Sequence, residues 1–313
     1  MRTLLFTFIL ALLSALTSAQ TFSNIAIAEA STVCSIAQDE QGMVWLGTEN
    51  GRYSYDGYRT LQHNTSADGT PMATRIHSML VSHNIIYMGT ERGLLVYDIR
   101  SGRYGHPLGH SPKDIRAVTM HQGRLWMGSA TGLYSCSLAA NDIRLENRQL
   151  QNVYSLLSTP RGLLVGTIDG LALRSPGGSL RRIPIRNGPQ PLVNALAPDR
   201  GTQAVWIGTE GALYRYDWRT FQPAAPLMGN SIKSLALHGD NIYAGTDNGM
   251  FIYNKVTNAV RHALHDLRSA RSIANNIVWA VFSDRWGNLW AGTDQGVSHI
   301  QQRPFYTYTP LSD

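Results

Sequence analysis

Seven four-residue phrases hold the side chains best suited to touching a ligand. They read Val33-Cys34-Ser35-Ile36, Ile76-His77-Ser78-Met79, Ile115-Arg116-Ala117-Val118, Val153-Tyr154-Ser155-Leu156, Val193-Asn194-Ala195-Leu196, Ile232-Lys233-Ser234-Leu235 and Val278-Trp279-Ala280-Val281. Positions one and four are apolar and position three is small. Position two differs in every copy: Cys, His, Arg, Tyr, Asn, Lys, Trp. Trp and Tyr offer flat apolar faces of the kind that sugar rings stack on. Arg, Lys and Asn offer donors for hydroxyls, carboxylates or sulfates. His77, Arg116, Tyr154, Asn194, Lys233 and Trp279 are therefore the candidate ligand-binding residues. The competing reading is that they plug a water-filled channel or pair with loop groups.

Other chemistry is absent from the pattern. No HExxH, P-loop, nucleophile elbow or EF-hand loop occurs. The stretch from Asp39 to Gly42 lacks the alternating acidic ligands of a calcium loop. His262, His265 and Asp266 have a spacing that could hold a metal on a helical turn, but they fall in an expected loop. No catalytic residue, metal or cofactor is assigned. Paired carboxylates from distant segments could still meet in space. Asn64-Thr65-Ser66 fits a glycosylation acceptor.

The elements that position the seven phrases are read from a repeat. Val44-Trp45-Leu46-Gly47-Thr48-Glu49-Asn50-Gly51 returns as Ile86-Tyr87-Met88-Gly89-Thr90-Glu91-Arg92-Gly93 and five times more, with the first Gly at 47, 89, 128, 166, 208, 245 and 292. A period of about 40 residues with several short strands is that of a propeller blade. The expected fold is all-β: a seven-bladed β-propeller of four-stranded antiparallel blades. Blade cores fall near 33–62, 75–104, 115–147, 152–183, 192–221, 231–261 and 277–308. In the first, strand a is Val33–Gln38, strand b Val44–Thr48, strand c Tyr53–Tyr55 and strand d lies near Tyr58–Gln62. Trp45, Tyr87, Trp126, Trp206, Tyr243 and Trp290 share one strand-b slot, which Leu164 fills in the fourth copy. They read as wedges between blades, the following Gly as a point of close backbone approach, and the Thr as a bond to a neighbouring strand. The fifth copy has Ala212 where the others have the second Gly, so its turn should differ. Strand a is innermost and begins at the face with the long, dissimilar d-to-a loops (His63 to Thr74, Gly105 to Asp114, His262 to Asn276). Its second residues should circle the channel mouth. Either Phe22–Ile27 or Phe305–Tyr308 could complete the last blade.

Residues 1–19 read as a cleaved signal peptide: Arg2, the apolar run Leu4 to Leu16, and small residues at Thr17-Ser18-Ala19. No later run is long enough to span a bilayer. The remaining 20–313 form the propeller, exported to the periplasm. The formal charge of +6 becomes +5 once Arg2 is removed, and no Lys/Arg run tracks a nucleic-acid backbone. Cys34 and Cys136 lie two repeats apart, poor geometry for a bridge, and are expected as two buried free thiols.

The phrase I-x-Q-D-x-x-G-x-V-W-x-G-T-x-x-G at Ile36 to Gly51 resembles the two-component regulator propeller repeat. So does V-F-S-D-R-W-G-N-L-W-A-G-T-D-Q-G at Val281 to Gly296. The resemblance implies the periplasmic sensor region of a hybrid two-component system histidine kinase, a class that typically detects glycans. The usual plan adds a second propeller, a β-sandwich, a membrane span, a kinase and a receiver, none of which is recognisable in the chain. Leu311-Ser312-Asp313 look like residues that introduce another strand a, as in a piece of a larger sensor. The expected function is thus oligosaccharide sensing without catalytic output, with further sensor or kinase domains or a partner protein receiving the signal. Alternatives are a propeller enzyme of lyase or quinoprotein type, or a protein-interaction scaffold. The adjacent cysteines usual beside a quinone cofactor are missing.

Overall fold

In the computed structural model the described residues are 21–27, 31–66, 69, 71–105, 111–138 and 142–300. They form seven sheets of four antiparallel strands each. Blade 1 comprises Val33–Gln38, Val44–Thr48, Gly51–Tyr55 and Thr60–Gln62, strands a to d in that order. Helix among the described residues amounts to one 3-10 turn, Ala225–Leu227. The signal-peptide reading lies outside the described residues.

The strand-b residues act as wedges. Trp45 packs with Ile76 of the next blade, Trp126 with Val153, Trp206 with Ile232, and Trp290 with Val33. Tyr87, Leu164 and Tyr243 do the same against Ile115, Val193 and Val278. The Gly after each wedge lets the next strand a come close. A Cβ on Gly208 would lie 2.6 Å from Ile232 Cγ2, and one on Gly292 2.7 Å from the Val33 carbonyl oxygen. The Thr hydroxyls bond the head of strand c in their own blade: Thr48 Oγ1 donates to the Gly51 carbonyl at 2.9 Å and Thr90 Oγ1 to that of Gly93 at 2.7 Å. Thr209 does the same to Ala212, which takes the slot without the positive φ seen at Gly51 or Gly93.

Ring closure decides which of the two segments completes blade 7. Strand d of blade 7 is Ser23–Ile25, paired with Gly296–Ile300. Blade 7 thus takes its fourth strand from outside the expected core 277–308. It closes with the N-terminal strand, and Phe305–Tyr308 lies outside the described residues. Closure from the opposite end of the chain joins the two ends of the ring and covers the edge of Gly296–Ile300.

Candidate functional site

Each strand a carries the same irregularity at its head. Val33 pairs with Thr48 and Ser35 with Gly47, so Cys34 has no partner across the ladder. The same shift falls at His77, Arg116, Tyr154, Asn194, Lys233 and Trp279. Each is the extra residue of a β-bulge, which frees its side chain from the sheet and re-aims it. Because one residue is skipped, positions one and four fall on one face. Val33 and Ile36 accordingly share a cluster, as do Ile115 and Val118.

The structure brings all six candidates together. They line one cavity of about 340 Å³ with Cys34 and Arg75. Arg75 was not singled out in the sequence. It directly precedes position one in blade 2, beside the small Cys34 of blade 1, and its guanidinium lies 5.7 Å from the Trp279 ring centroid. Cys34 is only half-buried, which corrects the expectation of two buried thiols, whereas Cys136 is buried. Both are free, and burial is the main cause that pushes each thiol up to about 11.

The basic groups of the mouth already have acidic neighbours. Arg116 donates from Nη2 and Nε to Asp114 Oδ2 at 2.7 and 3.1 Å, and from Nη1 to Asn152 Oδ1 at 3.3 Å. Lys233 Nζ lies 2.9 Å from Asp247, and Arg75 Nη1 lies 3.2 Å from Glu49. Trp279 Nε1 donates to Asp294 Oδ1 at 2.5 Å. His77 Nε2 is 3.4 Å from Asp114 Oδ1 without hydrogen-bond geometry. Burial, outweighing the pull of Asp114, holds the His77 imidazole below its ordinary pKa. Two aromatic faces are covered by cations: Arg116 lies 4.5 Å from the Tyr154 centroid, and Lys233 Nζ 4.2 Å from that of Trp279.

The acidic partners Glu49, Asp247 and Asp294 come from the first residue of the b–c turn. That turn is tied to strand a of its own blade: the Glu49 amide donates to the Thr32 carbonyl, and the Asp294 amide to that of Ile277. Sequence reading missed these carboxylates because a Thr-acid-x-Gly turn looks like ordinary turn chemistry. Their recurrence at one slot was the available signal.

A larger cleft, about 770 Å³, lies between blades 7 and 1 at the other end of strand a. Its residues belong largely to the repeat itself. Asp284 accepts from the amides of Trp286 and Asn288 and from Trp290 Nε1, as Asp39 does from those of Gln41 and Met43 and from Trp45 Nε1. These residues shape the a–b turn, whereas the mouth residues differ from blade to blade, and the mouth is the candidate site. His262 and His265 bond the carbonyls of Asn248 and Ile273, and no cluster among the described residues could hold a metal.

Residues 29–50 and 272–295 match the model of the two-component regulator propeller. The chain carries two-component regulator propeller repeats. Its fold is that of extracellular domains from such systems. One, assigned to a hybrid two-component system of B. thetaiotaomicron, is 36% identical over 92% of this chain with a TM-score of 0.84. A second from the same organism is 18% identical over 91% of the chain, TM-score 0.78, and shows the fold alone. The propeller chain spans 40% and 42% of the length of these two domains. A streptogramin B lyase shares the fold at 13% identity, TM-score 0.71, over 90% of this chain and 97% of that one. No curated protein matches the chain. No helix among the described residues is long and apolar enough to cross a membrane.

Proposed function

We propose that this propeller is the ligand-sensing part of a periplasmic sensor of the two-component type, exported by a cleaved leader at residues 1–19, and that its channel mouth binds an oligosaccharide. One observation carries the reading. Seven bulges aim seven non-repeating side chains, with Arg75, into a single cavity. A fold that repeats its construction in every blade and varies one position per blade concentrates specificity at that position. The mixture of Trp279 and Tyr154 with Asn194, Arg116 and Lys233 suits a polyhydroxylated ring. The similarity to an extracellular domain of a hybrid two-component system supports the sensor role. The signal would pass to further sensor or kinase domains or to a partner protein.

Calorimetry against a panel of neutral and acidic oligosaccharides tests this. Binding that weakens at least about tenfold in Trp279→Ala and Asn194→Ala supports the mouth as the site. Binding untouched by both substitutions removes the mouth from consideration. Product formation from the same panel would replace the sensing role with an enzymatic one. The lyase likeness, confined to the fold, gives no residue to expect it from.

A further inference from the structure

We infer that the mouth is built for an uncharged, hydroxyl-rich ligand and turns away carboxylated and sulfated ones. This rests on the mouth being the ligand site. In the sequence, Arg116 and Lys233 read as donors for hydroxyls, carboxylates or sulfates. The structure shows each of them engaged.

Three cations face the cavity: Arg75, Arg116 and Lys233. Four carboxylates hold their donors or the neighbouring Trp279 indole: Glu49, Asp114, Asp247 and Asp294. Glu91 and Glu210 stand in the same b–c turn slot in blades 2 and 5, their amides bonded at the head of a strand a. Burial opposes protonation of His77. Each cation that lines the cavity is thus paired with a carboxylate, although the whole chain carries +6.

A sulfate or carboxylate reaching Arg116 must displace Asp114 or sit beside it. Either outcome is unfavourable, because like charges at such separations repel and a displaced carboxylate loses short charge-assisted bonds. A hydroxyl meets no such conflict. It donates to a carboxylate oxygen and accepts from an N–H, so a diol can bridge an Arg–Asp pair without breaking it. The cations over Tyr154 and Trp279 also hold those rings in place.

Two experiments on the full exported chain test this. In the first, neutral, uronate-containing and sulfated oligosaccharides of matched length are titrated by calorimetry. Neutral sugars should bind, at least about tenfold more tightly than either acidic class. Tighter binding of an acidic class overturns the inference and leaves the mouth as a glycan site. Failure of all three classes overturns the glycan reading itself. The second experiment uses inorganic sulfate as the probe. Asp247 is 57% exposed, so Asp247→Asn frees Lys233 without disturbing the core. The double variant Asp114→Asn/Asp247→Asn frees Arg116 as well, and thermal melts verify folding. Sulfate should not bind the wild type saturably and should bind the variants in the millimolar range. Equal sulfate binding by wild type and variants overturns the claim that carboxylates already occupy the cations.

Discussion

At the scale of single residues, repetition separates construction from specificity. Asp39 and Asp284 recur in the motif and are nearly fully buried, at 2% and 6% exposure, each holding an a–b turn and its Trp. Asp284→Ala removes the acceptor for two turn amides, the Asn288 amide group and the Trp290 indole. It should cost about 1–3 kcal/mol in chemical denaturation, as expected when buried donors lose their partner. Its effect on ligand binding should be small, because the turn lies at the far end of strand a from the mouth. His63 supplies a pH test. Desolvation, reinforced by buried Arg52, lowers its pKa from 6.5 to about 4. The unfolded chain then binds one more proton than the folded chain between those values. Stability contributed by neutral His63 is complete above pH 6.5 and is lost as pH falls toward 4. His77, His121 and His299 are shifted in the same direction, mainly by burial. Denaturation midpoints should therefore fall on acidification from pH 7 to pH 5. The fall should be smaller in His63→Gln; an equal fall would show that His63 does not contribute.

At the scale of the element, the β-bulge is the device that builds the candidate site. It was legible in part. Apolar residues at positions one and four do not fit a strand whose faces alternate every two residues. That offset is what a skipped residue produces, and the ladder of Val33 to Thr48 and Ser35 to Gly47 accounts for it. Position two varies because it lacks a pairing partner and faces the channel. The Gly that follows the wedge is the complementary fixed position. Gly208→Ala places a methyl 2.6 Å from Ile232 Cγ2 and 3.3 Å from Ala195 Cβ. Such overpacking should destabilise by about 1–3 kcal/mol. Gly211→Ala in the same blade meets nothing within 4 Å and should stay within about 0.5 kcal/mol of wild type. Equal losses from the two substitutions would show that backbone freedom, not blade contact, selects the glycine.

At the scale of the whole molecule, stability depends on closing the ring. Ser23–Ile25 covers the edge of Gly296–Ile300, flanked by Phe22 and Ile27 at 5% exposure each. Ser298 Oγ donates to Asn24 Oδ1 at 2.7 Å, and the Phe22 amide donates to the Arg271 carbonyl at 3.0 Å. Deleting residues 21–27 uncovers a strand edge and removes two buried apolar side chains worth about 3–6 kcal/mol together. The shortened protein should melt at lower temperature and self-associate, as read by calorimetry and light scattering. Unchanged melting would mean that another segment closes blade 7.

The seven blades, the wedge role of the strand-b aromatics and the position-two ring can be read from the order of residues, because these are periodic and a period survives in a linear text. Folding settled three further features. It paired the N-terminal strand with blade 7, since both ends of the chain carried apolar segments able to fill the same edge. It brought Arg75 into the mouth, because a small Cys34 lets a side chain from blade 2 reach Trp279 of blade 7. It set Glu49, Asp114, Asp247 and Asp294 against the ring. A charge read along the chain has no partner until the blades meet, so a ring that reads as a set of free donors becomes, once folded, a set of ion pairs.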